Sequence, residues 1–294
     1  MHRAAINGKW DVVKYLVEKG ADIKASDNDG DTPLHWAARN GKLDVVKFLV
    51  GVKGADVKAA NNNGDTPLHW AARNGKLDAA ANGNLDSVKY LVEEKSGDVK
   101  SADSFGNTPL HRAAINGKWD VVKYLVEKGA DIKAVNNDGD TPLHWAAING
   151  KFDVVKYLVG EKGADVKAAN NGGTTPLHKA TENGHWDAVK YLIEKGADVS
   201  SANNDGNTSL HWAARNGKWD VVKFLVEKGV DVKAANNDGD TPLHWAARNG
   251  KWDVVKYLVE KGADVEATDI FDYNPLHRAS ANGNLDAVKY LIEK

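Results

Sequence analysis

Apolar residues in this chain come in short groups, separated by residues that favour turns. In residues 141–163, Thr141 and Pro142 are typical of a helix N-terminus, and Asn149-Gly150 is typical of a helix end. The apolar residues at 152, 155, 158 and 159 then recur with a helical period, and Gly163 ends this second helix. Each predicted helix is shorter than the roughly 12–15 residues that an isolated helix needs in water. Both must therefore bury their apolar faces against neighbours.

The same phrase recurs along the whole chain. Its histidine stands at positions 2, 35, 69, 111, 144, 178, 211, 244 and 277, spaced by 33 or 34 residues except for one interval of 42. Between the helix pairs come turn-forming runs such as Asn136–Asp140. The period predicts an all-α repeat solenoid, a single domain over residues 1–294. We expect nine stacked helix-turn-helix units with short hairpin tips, the first unit truncated.

The interval of 42 residues has a specific origin. Residues 71–78 (Ala-Ala-Arg-Asn-Gly-Lys-Leu-Asp) are followed at once by the near-copy 79–86 (Ala-Ala-Ala-Asn-Gly-Asn-Leu-Asp), and one more residue is inserted near Glu94. We expect one copy, in the third repeat, to bulge as a loop or to lengthen a helix. Single extra residues at Gly51-Val52 and Gly160-Glu161 are expected to enlarge the junction after the second helix.

Both ends of the sequence look cut. Met1 comes in mid-helix with no Thr-Pro-Leu before His2, and Lys294 finishes within or just past a second helix. Repeat arrays usually need polar end units for solubility. We therefore expect either a fragment of a longer array or a partner that covers one end.

Composition narrows the class of protein. Hydrophobic residues make up 42% of the chain and charged residues 27%, as in an ordinary folded protein. The net charge of −2, from 39 basic and 41 acidic residues, argues against a nucleic-acid partner. The absence of cysteine excludes disulfides and thiolate metal sites. No apolar run reaches the ~18 residues of a membrane helix, and the N-terminus has no signal-peptide pattern. We expect a cytoplasmic protein without membrane insertion.

The run Thr-Pro-Leu-His-x-Ala-Ala, the glycine after the first helix and the Gly-Ala-Asp-Val segment resemble the ankyrin repeat, over essentially the whole chain. The resemblance implies two antiparallel helices and a projecting hairpin in each unit. It also implies that another protein or peptide binds the hairpin tips and the concave face of the first helices. Catalytic activity is rare in this family. Long arrays of this sort resemble those of intracellular bacteria, where they are suspected effectors, so the host cytoplasm is an alternative location.

No catalytic residue, cofactor or metal site is predicted. Successive in-phase histidines lie about one helix-packing distance apart, near 10 Å, which is too far for two of them to share a zinc ion with bonds of about 2.0–2.1 Å. The resemblance implies instead that each bonds between its own turn and the adjacent repeat. Asp27–Asp31 has glycine fourth and Ala38 twelfth, so it lacks two residues that a calcium loop requires. Gly172-Gly173 lacks the lysine of a phosphate loop.

Tryptophan occurs ten times, at two positions of the repeat. Five copies begin second helices, at 10, 119, 186, 219 and 252, where leucine or phenylalanine stands in other repeats, so we interpret that position as core. The other five follow the histidine on the first helix, on the same side as the residue three places later. Tryptophan and arginine are enriched in interface hot spots. These pairs are therefore candidate partner-binding residues: Trp36 and Arg39, Trp70 and Arg73, Trp145 and Ile148, Trp212 and Arg215, and Trp245 and Arg248.

The alternative is that the first-helix tryptophans only pack between repeats, because the family usually has leucine there. Arg3, Arg112, Lys179 and Arg278 occupy the same position elsewhere in the chain. A strictly buried position would not accept these charged side chains easily, so the pattern favours partial exposure.

Two tips break the polar pattern. One carries Phe105, and the segment Ile270–Tyr273 carries Phe271 and Tyr273 without a glycine. Clustered apolar groups at turn tips predict a contact site. The alternative is that Phe271 and Tyr273 fold back on the last repeat or pack on residues beyond Lys294.

These observations favour a non-catalytic protein-interaction scaffold, whose partner binds the concave first-helix face and the hairpin tips. Two alternatives stay open. The chain could be a structural spacer whose copies associate end to end, or a targeting module of a longer toxin or effector.

Overall fold

The computed structural model describes residues 1–73 and 82–294. Its helices come in pairs, one pair to a repeat. The first helices are α1 (His2–Ile6), α3 (Pro33–Arg39), α5 (Pro67–Arg73), α7 (Pro109–Ile115), α9 (Pro142–Ile148), α11 (Pro176–Asn183), α13 (Ser209–Arg215), α15 (Pro242–Arg248) and α17 (Pro275–Ala281). The second helices are α2 (Trp10–Glu18), α4 (Leu43–Lys47), α6 (Asn82–Lys89), α8 (Trp119–Glu127), α10 (Phe152–Lys156), α12 (Trp186–Glu194), α14 (Trp219–Glu227), α16 (Trp252–Glu260) and α18 (Leu285–Ile292). Residues 74–81, the centre of the duplicated segment, lie outside the described residues, and so does the prediction made for it.

From α3 to α15 the first helices begin with a threonine-histidine pair, and in α17 Asn274 takes the place of the threonine. In α7, the side-chain oxygen of Thr108 accepts the backbone N–H of His111, and the N–H of Thr108 donates to Nδ1 of His111 at 3.2 Å. These bonds satisfy groups that the first turn of a helix leaves free. Pro109 follows at the first helical position, where no N–H is needed. Ser209 replaces this proline in α13, and the capping bonds are kept there.

Three second helices continue into a π-helical turn: Phe48–Val52 after α4, Tyr90–Glu94 after α6, and Tyr157–Glu161 after α10. Each lies in a repeat that carries one extra residue. A π-turn is a single wide turn that fits an added residue inside a helix. The prediction that the extra residue enlarges the junction after the helix is therefore wrong, because the helix itself absorbs it.

Helices of one repeat pack against the same helices of the next. Among residues 1–146, α1 contacts α3, α3 contacts α5, and α5 contacts α7; among residues 165–294, α11 contacts α13, α13 contacts α15, and α15 contacts α17. Leu110, Ala113 and Ala114 of α7 show the common pattern, since all three are completely buried. The small alanines let neighbouring first helices approach closely. The described chain is an all-α repeat solenoid, as the period predicts.

Contacts along the chain divide it into two compact units. The first comprises residues 1–146 and 160–164, and the second comprises residues 147–159 and 165–294. The single domain expected over residues 1–294 stays a prediction. Nowhere in the described ranges is a helix long and apolar enough to cross a bilayer.

Candidate functional site

The first-helix histidines join neighbouring repeats. Because a threonine N–H donates to Nδ1, the ring proton must be on Nε2. That nitrogen donates to a carbonyl of the next repeat, at 3.0 Å from His35 to Asp65 and at 3.0 Å from His211 to Asp240. Burial lowers the pKa of His211 to about 4 and keeps the ring neutral. The interpretation of these histidines as links between repeats is confirmed, and both ring nitrogens are already used.

The tips make a second connection between repeats. The first residue of each tip is Asp or Asn, and its side-chain oxygen accepts the backbone N–H groups two and four residues later, as in Asn61. Asparagine also has an amide to donate. Asn61 Nδ2 donates to Asp31 Oδ1 of the preceding tip at 2.8 Å, and Asn236 Nδ2 donates to Asn207 Oδ1 at 2.8 Å. Buried side-chain bonds therefore connect one tip to the next.

Where an aspartate begins a tip and faces an aspartate of the preceding tip, an arginine stands between them. Arg112 forms an ion pair with Asp103 and lies 3.4 Å from Asp65. Burial acts to raise the pKa of Asp103, but hydrogen bonds from Asn107 and the charge of Arg112 outweigh it, so the pKa is lowered. The second case has the same form, with Arg278 between Asp240 and Asp269.

An arginine at this position therefore does not indicate an exposed site. The Arg112 side chain is only 13% exposed, because two carboxylates neutralise it. The exposure predicted from Arg112 and Arg278 is wrong, because both side chains are largely buried between carboxylates. A usable signal was present in the sequence: Asp103 and Asp269 each precede an arginine by nine residues, whereas asparagine precedes tryptophan or lysine by nine residues in five other repeats.

The first-helix tryptophans both pack and remain accessible. Trp70 is buried, and the other four are half-buried. Consecutive rings meet edge to face, with centroids 5.0 Å apart for Trp36 and Trp70 and 5.2 Å apart for Trp212 and Trp245. Trp36 Nε1 also donates to Asp27 at 2.8 Å. The row is thus part of the contact between repeats and still presents ring area to solvent.

Trp145 and Ile148 occupy the same two positions in the fifth repeat, and both are half-buried. The ring of Trp145 stands edge to face with His111 of the preceding repeat, 6.0 Å between centroids. The fifth repeat thus carries the apolar Ile148 at the position where four other repeats carry an arginine.

Four arginines that follow these tryptophans form no ion pair within the described residues: Arg39, Arg73, Arg215 and Arg248. Arg215 lies 5.6 Å from the ring centres of both Trp212 and Trp245. Arg39 is placed in the same way over the rings of the second and third repeats. A cation-π contact positions the guanidinium and leaves its N–H donors available for a carboxylate.

A groove of about 410 Å³ lies in the second unit, between the first helices and the tips of the seventh and eighth repeats. On the helix side it is lined by Arg215, Trp245, Arg248 and Asn249. On the tip side it is lined by Asp205, Asn207, Asn236, Asn237, Asp238 and Asp240. One wall is therefore basic and partly aromatic, and the other is acidic.

The apolar tip residues are exposed, as predicted. Phe105 is 56% exposed and Phe271 is 65% exposed. Tyr273 is 47% exposed, and its ring lies 5.8 Å from that of His277 and 5.2 Å from the guanidinium of Arg278. Tyr273 thus folds back on its own repeat, and Phe271 stands in solvent. That these residues bind a partner stays a prediction.

The last tip is also unusual in its backbone. Asp272 has φ +60°, in the left-handed region where the preceding tip has Gly239 with φ +78°. A Cβ on Gly239 would lie 2.9 Å from the Cα of Asp269, so contact with the next tip requires glycine there.

The tryptophans that begin the second helices are not core residues. Trp10, Trp119 and Trp186 are each 38% exposed, and Trp219 is 40% exposed. Trp219 stands edge to face with Tyr257 of the next repeat, 5.2 Å between centroids. The core prediction is wrong, because a ring at the start of this helix covers the gap between two second helices and keeps one side in solvent.

One acidic group resembles a cation site. The carboxylates of Asp27, Asp29 and Asp31 lie within 4.8 Å of one another. Two of them already accept bonds, Asp27 from Trp36 and Asp31 from Asn61. Burial raises the pKa of Asp31 to about 6, which disfavours its charged form. The absence of a metal site stays a prediction here.

Stacked helix pairs, histidine links and connected tips define a helical repeat protein. A family model described as ankyrin repeats (3 copies) matches residues 1–81, 77–170, 165–236 and 230–294. The chain belongs to the ankyrin repeat family. Ankyrin repeats are generally protein-protein interaction modules. No curated protein matches the chain.

Proposed function

We propose that this chain is a non-catalytic scaffold that binds another protein or a peptide through its first-helix face and tips. The main support is the groove of the seventh and eighth repeats, where Arg215 and Arg248 pair with no carboxylate of the described residues and lie beside the half-buried Trp245. Arginine and tryptophan are enriched in interface hot spots. A surface that is already formed loses little ordering entropy when a partner binds.

The histidines support the non-catalytic part of the proposal. In His35, for example, the bonds to Thr32 and Asp65 occupy both ring nitrogens, so no nitrogen is free to transfer a proton. The balanced charge of the chain favours a protein over a nucleic acid. A cytoplasmic location stays a prediction.

The test compares two tryptophans of the eighth repeat. Trp245→Ala removes the ring on the groove, and Trp252→Ala removes a ring of the same size at the start of the second helix. A partner captured from the native cell should be lost with the first variant and kept with the second, while circular dichroism shows both to be folded. Equal loss, or no loss, would count against the groove.

A second candidate is a spacer whose copies associate end to end. Apolar side chains of the end repeats are exposed, including Tyr15 at 59% in α2, and Leu285 at 60% and Ile292 at 67% in α18. Such surfaces favour self-association. Sedimentation over a range of concentrations tests for this self-association. A molecular mass that stays that of the monomer at every concentration would exclude the spacer function.

A further inference from the structure

We infer that the groove of the seventh and eighth repeats binds an extended, acidic segment of a partner protein, with one carboxylate on Arg215 and another on Arg248. This inference rests on the proposed function and adds the chemistry of the partner. Its basis is the contrast between the arginines of this chain that are already ion-paired and those that are not.

Arginines on the first helices fall into two groups. Arg112 and Arg278 each contact two carboxylates of the tips. No carboxylate of the described residues comes within 4.0 Å of Arg215 or Arg248, although acidic tips line the same groove. Their guanidinium groups therefore have N–H donors to spare, and guanidinium binds carboxylate through two parallel hydrogen bonds. Arg215 is also positioned by two indole rings.

The distance between the two arginines selects an extended segment. They occupy equivalent positions in α13 and α15, which contact each other, and packed helices lie about 8–10 Å apart. A chain in the polyproline II conformation rises about 3.1 Å per residue with three residues per turn. Side chains three residues apart then point the same way, about 9 Å apart. Acidic residues at every third position match the two arginines.

The tip side of the groove restricts the residues in between. Asp205 and Asp238 lie there, and neither forms an ion pair in the described part of the chain. Their charges favour neutral or basic residues between the acidic ones and oppose a uniformly acidic run. They also oppose the doubly charged phosphate of a phosphopeptide more strongly than a single carboxylate.

The probe is a fluorescent peptide of about twelve residues with glutamate at every third position and alanine, proline and lysine between. Binding is followed by fluorescence anisotropy. Arg215→Glu with Arg248→Glu should weaken binding about tenfold or more, because both contacts become repulsive. The matched control, Lys223→Glu with Lys256→Glu, makes the same charge change at exposed positions on the second helices of the same repeats. It should change binding less than about twofold.

Three comparison peptides complete the test: one with lysine in place of glutamate, one with the glutamates moved to adjacent positions, and one with phosphoserine in place of glutamate. The inference predicts weaker binding for all three. It is overturned if any of them binds as tightly as the probe, or if the arginine variant binds the probe like the control. A natural partner lost with Trp245→Ala but kept with the arginine variant would uphold the proposed function and overturn this inference alone.

Discussion

The side chain of the first residue of a tip, an asparagine amide or an aspartate carboxylate, decides how that tip connects to the preceding one. The amide of Asn61 can donate to Asp31, but the carboxylate of Asp103 has no proton to offer Asp65. Two buried carboxylates would then face each other, and Arg112 resolves the repulsion by contacting both. Asp103 and Arg112, nine positions apart in one repeat, are thus coupled because both face Asp65 of the preceding repeat.

This coupling can be measured. Arg112→Trp should lower the free energy of unfolding by about 3 kcal/mol, because it leaves the buried Asp103 carboxylate without its ion pair. Adding Asp103→Asn recreates the arrangement of Asn61 and Trp70 and should recover most of that loss. Urea denaturation of the wild type, both single variants and the double variant gives the coupling energy. Simple additivity of the two effects would contradict the account.

The histidine links predict a pH dependence. Burial lowers the pKa of His111 and of His211 to about 4, from the usual 6.5, so the fold favours the neutral rings. Their contribution to stability is complete above pH 6.5 and is lost as the pH falls from there toward 4, since the unfolded chain binds protons first. Thermal denaturation between pH 7 and 4 should show Tm falling over this range, with a smaller slope in His211→Asn. A constant Tm would show that these rings do not titrate on unfolding.

At the scale of helices, the second helix is where an extra residue can be accommodated. In an ordinary repeat the N–H of Ala130 donates to the carbonyl of Leu125. In the second repeat the N–H of Ala55 donates to the equivalent Leu49, although one more residue separates them. The junction keeps its bond, and the added residue widens the last helical turn instead. Junction and tip are held by specific hydrogen bonds, whereas a helix end can change its winding at small cost.

Deleting Gly160 tests this explanation. The deletion restores the spacing of the regular repeats and removes a glycine from a helical segment, where glycine costs about 1 kcal/mol relative to alanine. The π-turn at Tyr157–Glu161 should become α-helical, and the free energy of unfolding should rise by up to about 1 kcal/mol. Deletion of Gly163, which has φ +69° in the junction, is the control and should destabilise the chain. If the two deletions act alike, the helix end has no special tolerance.

At the scale of the whole molecule, each repeat depends on its immediate neighbours. Within each unit the contacts join helices of adjacent repeats, and the histidine and tip bonds of the described residues reach the adjacent repeat. Stability is then close to a sum of repeat terms and terms between neighbours. A local defect should have a local effect.

Leu225→Ala tests this locality. Leu225 of α14 is completely buried, and its truncation should cost about 2–5 kcal/mol. Native-state hydrogen exchange should quicken in the sixth to eighth repeats and stay unchanged in α1 and α3. Lys223→Ala, on the exposed side of the same helix, serves as the control. Faster exchange throughout the chain would mean that it unfolds as one cooperative unit.

Most of the fold could be predicted from the sequence, because each repeat carries its own start and stop signals. Proline follows threonine at the start of six of the nine first helices, and glycine follows the helix in every copy. The histidine links were implied by the resemblance to the ankyrin repeat, and the structure confirms them. The exposure of the tip residues Phe105 and Phe271 was predictable too, since a tip has no core of its own.

The period of the sequence by itself determined the helix pairs and their number, because those features depend on residues within one repeat. The first-helix face as the binding face came from the resemblance to the ankyrin repeat and stays a prediction. The tertiary structure showed that Arg112 and Arg278 are neutralised, which the sequence signals only through the aspartate nine residues earlier, and it alone decided that the tryptophans of the second helices are partly exposed. It also decided that the helix takes up the extra residues. The first two depend on the side chains that an adjacent repeat brings within a few ångströms, which stacking sets. The third depends on the hydrogen bond that holds the junction while the helix end changes its winding.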